Sequence, residues 1–237
     1  MPNTLPHLTS APDGTPQTRP AAHRRWREFL ERWGAVVLLS VAALTAFALL
    51  GQDVFDHAPG TLDTGVRAWA LAHRTAGLLA AASLTSYVGS PTGVFLLAVA
   101  VAFWLWRGGG RRVAPVVVAA PAAADLLFNV VKRVVHRTRP GGGLLLRYTT
   151  FSFPSGHATM AAAVFGTLAW VLAREGKLPP AAAVLLAVVP PLLIGASRVY
   201  LDVHWTTDVF GGWCAGAAVA ALSAGVYERG RRRAHPA

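Results

Sequence analysis

The sequence predicts an all-α integral membrane protein, built as a bundle of six transmembrane helices. Of its 237 residues, 54% are hydrophobic and only 14% are charged, and the mean hydropathy is +0.44. Apolar stretches also recur along the chain, each close to the ~20 residues that a helical bilayer span needs. The six stretches cover residues 34–50, 88–106, 113–131, 158–173, 178–196 and 209–227. Because hydrocarbon cannot hydrogen-bond a bare backbone, each stretch must be a helix packed in one bundle.

The first apolar stretch follows a polar leader. Residues 1–23 are rich in Pro, Thr and Ala without apolar periodicity, and Arg24, Arg25, Arg27 and Arg32 follow. We therefore predict that residues 1–33 form a disordered basic tail. A cleaved signal peptide is the alternative, but the long leader and the full-length apolar run favour an uncleaved anchor. The membrane domain is then predicted over residues 34–228, and residues 229–237 form a second basic tail.

Residues 66–88 decide the predicted orientation. With six spans, four basic clusters share one side, which the positive-inside rule makes cytoplasmic together with both termini. If residues 66–88 crossed the membrane as a seventh span, every later cluster would move outside. This stretch contains Arg67, His73 and Arg74, followed by Ser83, Thr85 and Ser86. We therefore predict one or two short interfacial helices at the outer surface here, and keep the seventh span as the alternative.

Composition also excludes several classes of function. The single cysteine, Cys214, lies within the last apolar stretch, so neither a disulfide framework nor a thiolate metal cluster can form within the chain. The formal net charge is +11, but the basic residues lie between hydrophobic spans rather than on one soluble face. Nucleic acid is therefore not a predicted partner.

Three polar segments fall together on the predicted outer side. They read KRVVHRTRP at residues 132–140, PSGH at 154–157 and SRVYLDVHWTTD at 197–208. Their surroundings hold six basic residues that run against the positive-inside trend, namely Lys132, Arg133, Arg137, Arg139, Arg147 and Arg198. Charge placed against the topological bias near a membrane indicates a functional site.

The residue types in these segments fit a phosphoryl group. Lys132, Arg139 and Arg198 supply cationic donors, and guanidinium forks match phosphate oxygens two at a time. Ser155 and Gly156 stand just before an apolar helix, so their backbone N–H groups and the helix N-terminus can also point at an oxyanion. We expect the glycine to let the ligand approach closely.

Two histidines provide reactive groups. His204 and Asp208 are four residues apart, so on a helix the carboxylate can accept the imidazole N–H and leave the other nitrogen nucleophilic. His204 is therefore the predicted phosphoryl acceptor. His157, on a different span, is predicted to protonate the leaving alkoxide and later to deprotonate the attacking water.

The three segments resemble the type 2 phosphatidic acid phosphatase superfamily, whose pattern is K-x(6)-R-P, then P-S-G-H, then S-R-x(5)-H-x(3)-D. Every defined position of that pattern is present, and the resemblance covers residues 113–226. It implies that His204 forms a phosphohistidine, that Asp208 orients it and that His157 is the acid and base. It also implies that phosphate is held by Lys132, Arg139, Ser155, Gly156 and Arg198.

Structural roles are predicted for several other polar residues. Ser155 is expected to cap the fourth span, whether or not it also contacts phosphate. Arg133, Arg137 and Arg147 are expected to be solvated or to contact lipid headgroups. Asp125 is expected to brace a neighbouring helix. Too few carboxylates lie near the motifs to bind paired metal ions, so no metal and no cofactor is predicted.

The predicted substrate is a lipid phosphate or diphosphate whose tail stays in the membrane. Proteins of the similar family act on undecaprenyl diphosphate, phosphatidylglycerol phosphate or phosphatidic acid, and the sequence does not choose among them. The alternatives are phosphotransfer to another acceptor, a binding or transport protein without turnover, and a vanadium haloperoxidase, a class that shares the pattern on soluble chains. The predicted location is a bacterial inner or plasma membrane, with the active site on the extracytoplasmic side. Oligomeric state is not predicted.

Overall fold

Eight α-helices form the fold in a computed structural model that describes residues 21–56, 58–143 and 150–234. No strand occurs within these ranges, so the predicted all-α class is confirmed. The helices are α1 (Ala21–Asp56), α2 (Thr61–Ala72), α3 (Ala76–Val88), α4 (Pro91–Arg107), α5 (Ala114–Val135), α6 (Gly156–Arg174), α7 (Pro180–Tyr200) and α8 (Thr206–Ala234). A short 3-10 helix, Pro140–Gly143, follows α5.

The predicted integral membrane bundle is also confirmed. Within the described ranges, five helices are long and apolar enough to cross a membrane, namely α1, α5, α6, α7 and α8. Helices α3 and α4 meet the same criterion only as a pair, bent by 50° where they join, and the number of candidate spans is six if this pair is one span. The bend falls where Ser90 accepts a hydrogen bond from Gly93 N and Pro91 begins α4, so the sequence restarts a helix at this point.

Residues 66–88 form parts of two helices rather than one long one. Helices α2 and α3 have 12 and 13 residues, and the turn between them ends at Thr75, whose hydroxyl accepts a hydrogen bond from Leu78 N. Each helix is shorter than the ~20 residues of a straight span. The structure therefore agrees with the prediction of one or two short helices here, and it adds that α3 runs into α4 across the bend. Their place at the outer surface stays a prediction.

Both predicted tails are partly helical. Helix α1 begins at Ala21, so residues 21–33 are helical where disorder was expected, and α8 continues to Ala234. Residues 1–20 and 235–237 of the predicted tails lie outside the described ranges.

Helix α6 is the centre of the bundle and packs against α4, α5, α7 and α8. Its contact with α8 depends on two glycines of α8. A Cβ at Gly212 would lie 2.8 Å from the Ser155 carbonyl oxygen, and a Cβ at Gly216 would overlap the carbonyl oxygen of Thr159. Glycines spaced four apart therefore let the two backbones approach closely, as small residues do between membrane helices.

Basic residues gather at the end of the bundle where α6 and α8 finish. Arg174 donates to Glu228 over 2.7 Å, and Arg231 donates to the Arg174 carbonyl over 2.9 Å. Lys177 lies 4.9 Å from the centre of the Trp104 ring, which brings the end of α4 to the same place. The basic clusters after α4, after α6 and at the end of α8 therefore share one end of the bundle.

The contact between α6 and α8 predicts a position-specific cost for adding one methyl group. Gly216→Ala should destabilise the protein by about 1–3 kcal/mol, because the new Cβ meets backbone that cannot move aside. Gly230→Ala, in open space on the same helix, should stabilise it by up to about 1 kcal/mol through helix propensity. Thermal unfolding in detergent would compare the two variants, and equal transition temperatures would contradict the packing.

Candidate active site

The three polar segments converge where α5 ends and where α6 and α8 begin. Lys132 lies in the last turn of α5, Gly156 begins α6, and Arg198 lies in the last turn of α7. His204 lies in the loop between α7 and α8. All eight residues predicted for the site fall within the described ranges, at the opposite end of α6 from the basic clusters.

His204 is held at both of its ring nitrogens. Its Nδ1 lies 3.3 Å from Asp208 Oδ2, and its Nε2 lies 2.9 Å from a terminal nitrogen of Arg139. A guanidinium has donors and no acceptor, so Nε2 must be the acceptor in this contact. The hydrogen-bond network therefore assigns the proton to Nδ1, facing Asp208, and the lone pair to Nε2.

Asp208 is buried and accepts several hydrogen bonds besides that of His204. Trp205 N donates to its Oδ2 over 2.8 Å, and the Ser152 hydroxyl donates to the same oxygen. Arg137 donates to Oδ1 over 2.6 Å. The bond from Trp205 N also closes the first turn of α8, as the acidic residue of a capping box does. Asp208 thus fixes the helix start and the imidazole together.

The pKa of His204 is lowered from its usual 6.5 to about 3, and burial is the largest cause. The side chain is 3% exposed, so the charged imidazolium would lose its hydration. The hydrogen bond and charge of Asp208 raise the pKa, but the positive charges of Arg139 and Lys132 lower it again. At neutral pH the imidazole is therefore uncharged, which a nucleophile requires.

Lys132 and Arg139 are both aimed by backbone carbonyls of the same short segment. Lys132 Nζ donates to the Phe151 carbonyl over 2.6 Å, and Arg139 Nε donates to the Thr150 carbonyl over 2.9 Å. Arg139 also donates to the Val203 carbonyl over 2.6 Å, next to His204. These backbone acceptors orient the two cations beside His204.

Arg198 and His157 meet at α3. Arg198 is 1% exposed and donates to the Ser86 hydroxyl, while the His157 imidazole interacts with the Ser86 backbone. His157 also interacts electrostatically with Arg198, Arg139 and His204, so it lies near all three. The geometry therefore brings the second histidine and the third cation to the same place as His204.

An apolar cavity of about 450 Å³ lies beside these residues, between α2, α3, α7 and α8. Its walls include Thr85 and Ser197, which directly precede Ser86 and Arg198 in sequence. The remaining walls are mostly hydrophobic, among them Trp69 and Leu193. A polar site and an apolar cavity are therefore neighbours.

The PAP2 superfamily model matches residues 114–232, half of the chain and the half that holds all eight residues predicted for the site. The chain belongs to the PAP2 superfamily. Phosphatidylglycerophosphatase B of Bacillus subtilis is 38% identical over 112 residues, which are 45% of this chain and 54% of that protein. An undecaprenyl-diphosphatase of Sulfolobus acidocaldarius is 29% identical over 126 residues, 51% of this chain and 58% of that one. These matches thus span little more than half of the curated relatives' own lengths.

Solved PAP2 structures share the fold. The crystal structure of a transmembrane PAP2-type phosphatidylglycerolphosphate phosphatase from Bacillus subtilis matches with a TM-score of 0.67 at 26% identity. That match covers 80% of this chain and 96% of the other, so it extends beyond the half that the family model matches. The LpxE structure from Aquifex aeolicus matches with a TM-score of 0.52 at 24% identity over 69% of this chain and 95% of that one, and shows the fold alone.

The expectation that the Ser155 side chain caps the fourth span of this PAP2 protein is wrong. Ser155 occupies the N-cap position of α6, but its side chain makes no capping hydrogen bond, and its buried Oγ has no hydrogen-bond partner within the described ranges. The Ser155 backbone N instead donates to the Asp208 carbonyl over 2.9 Å. Gly156 packs closely against Phe128, since a Cβ there would lie 3.1 Å from the ring, and its approach to a ligand stays a prediction.

The expectation for Arg137 is also wrong. Its side chain is buried, and it donates to Asp208 and, over 2.7 Å, to Asp63 of α2. The arginine turns inward because two buried carboxylates face it. Arg133 is exposed, as expected, and Arg147 lies outside the described residues. Asp125 is exposed on α5 rather than buried against a neighbouring helix.

Four residues of the PAP2 site were not predicted: Asp63, Ser86, Arg137 and Ser152. Asp63, Ser86 and Ser152 lie outside the three motifs. Asp63 on α2 and Ser86 on α3 also precede the segment that the PAP2 model matches. The only signal for Ser86 was the cluster of polar residues in an otherwise apolar stretch. For Asp63, the chain carried no signal beyond an acidic residue at a helix start.

The lowered pKa predicts that His204 stays neutral in mild acid. In detergent at pH 5, nitrogen NMR should show its Nδ1 protonated and its Nε2 unprotonated, with His204→Asn identifying the signal. Because the folded pKa lies below the unfolded value, His204 reduces stability as the pH falls from about 6.5 towards 3. An imidazolium signal at pH 5 would contradict the burial argument.

Proposed function

We propose that this protein is a membrane phosphatase that hydrolyses a lipid phosphate or diphosphate through a phosphohistidine at His204. The observation that carries the proposal is the Nε2 lone pair of His204, directed at Arg139 and backed by Asp208. Membership of the PAP2 superfamily supports it, and so do the phosphatase names of several relatives.

The phosphoryl group would bind among Lys132, Arg139 and Arg198. Phosphate oxygens would replace His204 Nε2 as an acceptor for Arg139, which frees the nitrogen and brings phosphorus next to it. Ser155 and Gly156 support the same site in two ways: the serine hydroxyl is buried without a partner in the described chain, and both residues stand at the start of a 19-residue helix.

The first chemical step breaks the bond between phosphorus and the leaving oxygen. His204 Nε2 attacks phosphorus, forms the P–N bond and becomes positively charged, which the buried Asp208 carboxylate stabilises across Nδ1–H. His157, protonated next to the bound phosphate anion, gives its proton to the leaving oxygen. The three cations stabilise the negative charge on the phosphoryl oxygens during transfer.

The second step releases phosphate. The neutral His157 takes a proton from water as its oxygen attacks phosphorus, the P–N bond breaks, and His204 recovers the Nε2 lone pair. His157 is protonated again at the end of this step, ready for another turnover. No metal takes part in this scheme, so phosphate release should persist in EDTA.

The substrate class follows from the surroundings of the site. The apolar cavity next to Ser197 and Arg198 suits a hydrocarbon tail whose headgroup enters the cationic site. Relatives named phosphatidylglycerophosphatase B, undecaprenyl-diphosphatase and lipid A 1-phosphatase support a lipid phosphate. Phosphatidylglycerol phosphate, undecaprenyl diphosphate and phosphatidic acid are therefore the compounds to test, with membrane lipids as the surrounding partner.

The site is proposed to face the extracytoplasmic side of a bacterial inner membrane. Basic clusters after α4, after α6 and at the end of α8 share the opposite end of the bundle, and such clusters mark the cytoplasmic side. With six spans, both termini are then cytoplasmic as well.

Cysteine labelling would test this orientation. In a Cys214→Ala background, Gly60→Cys lies at the exposed start of α2 on the site end, and Arg111→Cys lies in the exposed turn after α4. A membrane-impermeant maleimide added to spheroplasts should label position 60 and leave position 111 unlabelled until the membrane is opened. The reverse pattern would place the site on the cytoplasmic side.

The activity itself is tested by phosphate release from a panel of lipid phosphates and diphosphates, in detergent with EDTA. The wild-type protein should release phosphate, and His204→Ala should reduce release by at least about a thousandfold, because the nucleophile is lost. The best lipid of the panel identifies the substrate class. Release that persists in His204→Ala would contradict the phosphohistidine, and transfer to an acceptor lipid instead of water would indicate a phosphotransferase.

A further inference from the structure

A chain of buried ionic contacts links the loop that carries His204 to α2, a helix that lies outside the three sequence motifs. Arg137 lies at its centre, with Asp208 on one side at 2.6 Å and Asp63 on the other at 2.7 Å. The Asp208 side chain is 0% exposed, that of Asp63 1% and that of Arg137 7%. Charges buried this completely persist only when each of them is paired.

Asp63 is more than an acidic residue at a helix start. A carboxylate in the first turn stabilises a helix N-terminus, and an exposed side chain would suffice for that. Here both oxygens are engaged by another helix: Thr207 N donates to Oδ1 over 2.9 Å, and the Thr207 hydroxyl donates to Oδ2 over 2.7 Å. Asp63 therefore caps the first turn of α8 through Thr207, the residue that precedes Asp208.

Arg137 connects the two carboxylates through different nitrogens. One terminal nitrogen donates to Asp208 Oδ1 and to the Thr207 hydroxyl, and the other donates to Asp63 Oδ2. Oδ1 of Asp208 is thus held by Arg137, while Oδ2 remains the oxygen that faces His204. This division fixes the rotation of the Asp208 carboxylate.

Charge balance gives Asp63 a second effect. Arg137 and Asp208 alone would form a neutral pair, and a neutral pair does little for a positive charge on His204. With Asp63 included, the three side chains carry a net charge of −1 behind the imidazole. In a buried site, one uncompensated negative charge behind the imidazole stabilises the positively charged phosphohistidine.

Helix α2 is tied to the same loop at a second point. Arg67, one turn after Asp63, donates to Asp202 over 2.7 Å. The Trp205 ring, next to His204, lies 5.8 Å from the Arg67 guanidinium and 5.7 Å from that of Arg137. Two residues on one face of α2 therefore hold the loop that carries His204.

We propose that Asp63 is a positioning residue for His204, acting through Arg137 and Asp208 to orient the imidazole and to stabilise the phosphohistidine. It does not touch the phosphate itself. This inference rests on the proposed function, since it assigns Asp63 to the step in which His204 accepts the phosphoryl group.

The experiment compares Asp63→Asn with the wild-type protein on the best lipid phosphate of the panel. The variant should lower kcat about 10- to 100-fold, the effect of losing one charge-assisted contact, with KM within about threefold. The rate of phosphoenzyme formation in a single turnover should fall by the same factor. Asp63→Glu, which keeps the charge, should recover part of kcat.

Two further variants separate positioning from stability. Glu228→Gln removes a carboxylate, 12% exposed, from an arginine pair at the opposite end of α8, and it should leave kcat unchanged. Arg137→Lys keeps the charge but loses the fork that spans both carboxylates, so it should lower kcat at nearly constant KM as well. It tests the same contact if Asp63→Asn does not fold.

The outcomes are distinct from those that test the phosphatase itself. A wild-type protein that releases no phosphate from any lipid would reject the proposed function. A wild-type protein that turns over while folded Asp63→Asn and Arg137→Lys keep its kcat would overturn the role of Asp63 alone. Failure of both variants to fold would also overturn that role, because the network would then serve the fold. An effect confined to KM would overturn it as well, because the network would then serve substrate binding.

Discussion

The fully buried carboxylate of Asp208 is the group on which the rest of the site depends. It accepts hydrogen bonds from His204, Trp205 N, Ser152 and Arg137, and its backbone carbonyl accepts one from Ser155 N. An unpaired charge at this depth would cost several kcal/mol, and these contacts together offset that cost. Because the donors come from the loops before α6 and α8 and from the end of α5, the same charge gathers three parts of the chain around one imidazole.

The surrounding cations are arranged differently from Asp208. Lys132 and Arg139 donate to backbone carbonyls, which orient both side chains. Several positive charges gathered at one place attract a phosphate dianion. Burial, with a smaller contribution from the same cations, lowers the pKa of His204 and keeps the imidazole neutral. The cations therefore contribute to phosphate binding and also to the nucleophilicity of His204.

Much of this arrangement could be predicted from sequence, because motif spacing determines which side chains meet. The spacing of His204 and Asp208 predicted their contact, and the apolar periodicity predicted the spans. Contacts that depend on how distant helices pack could not be predicted: Asp63 and Arg137 are 74 residues apart, and no local pattern reports that they meet. Arg137 in particular looks like a membrane-surface arginine until α2 is in place. Helix starts were misjudged for a related reason, since Ser155 is a favourable capping residue whose hydroxyl is not used as a cap.

The most direct test of the account is to trap the phosphoenzyme and locate the phosphate. A lipid substrate labelled in its phosphate would be mixed with the protein, quenched in alkali, where phosphohistidine survives, and the peptides analysed by mass spectrometry. The account predicts a phosphoryl group on His204 and none on His157, with the signal absent in His204→Asn. Phosphate on His157, on Ser155 or on no residue during active turnover would contradict it.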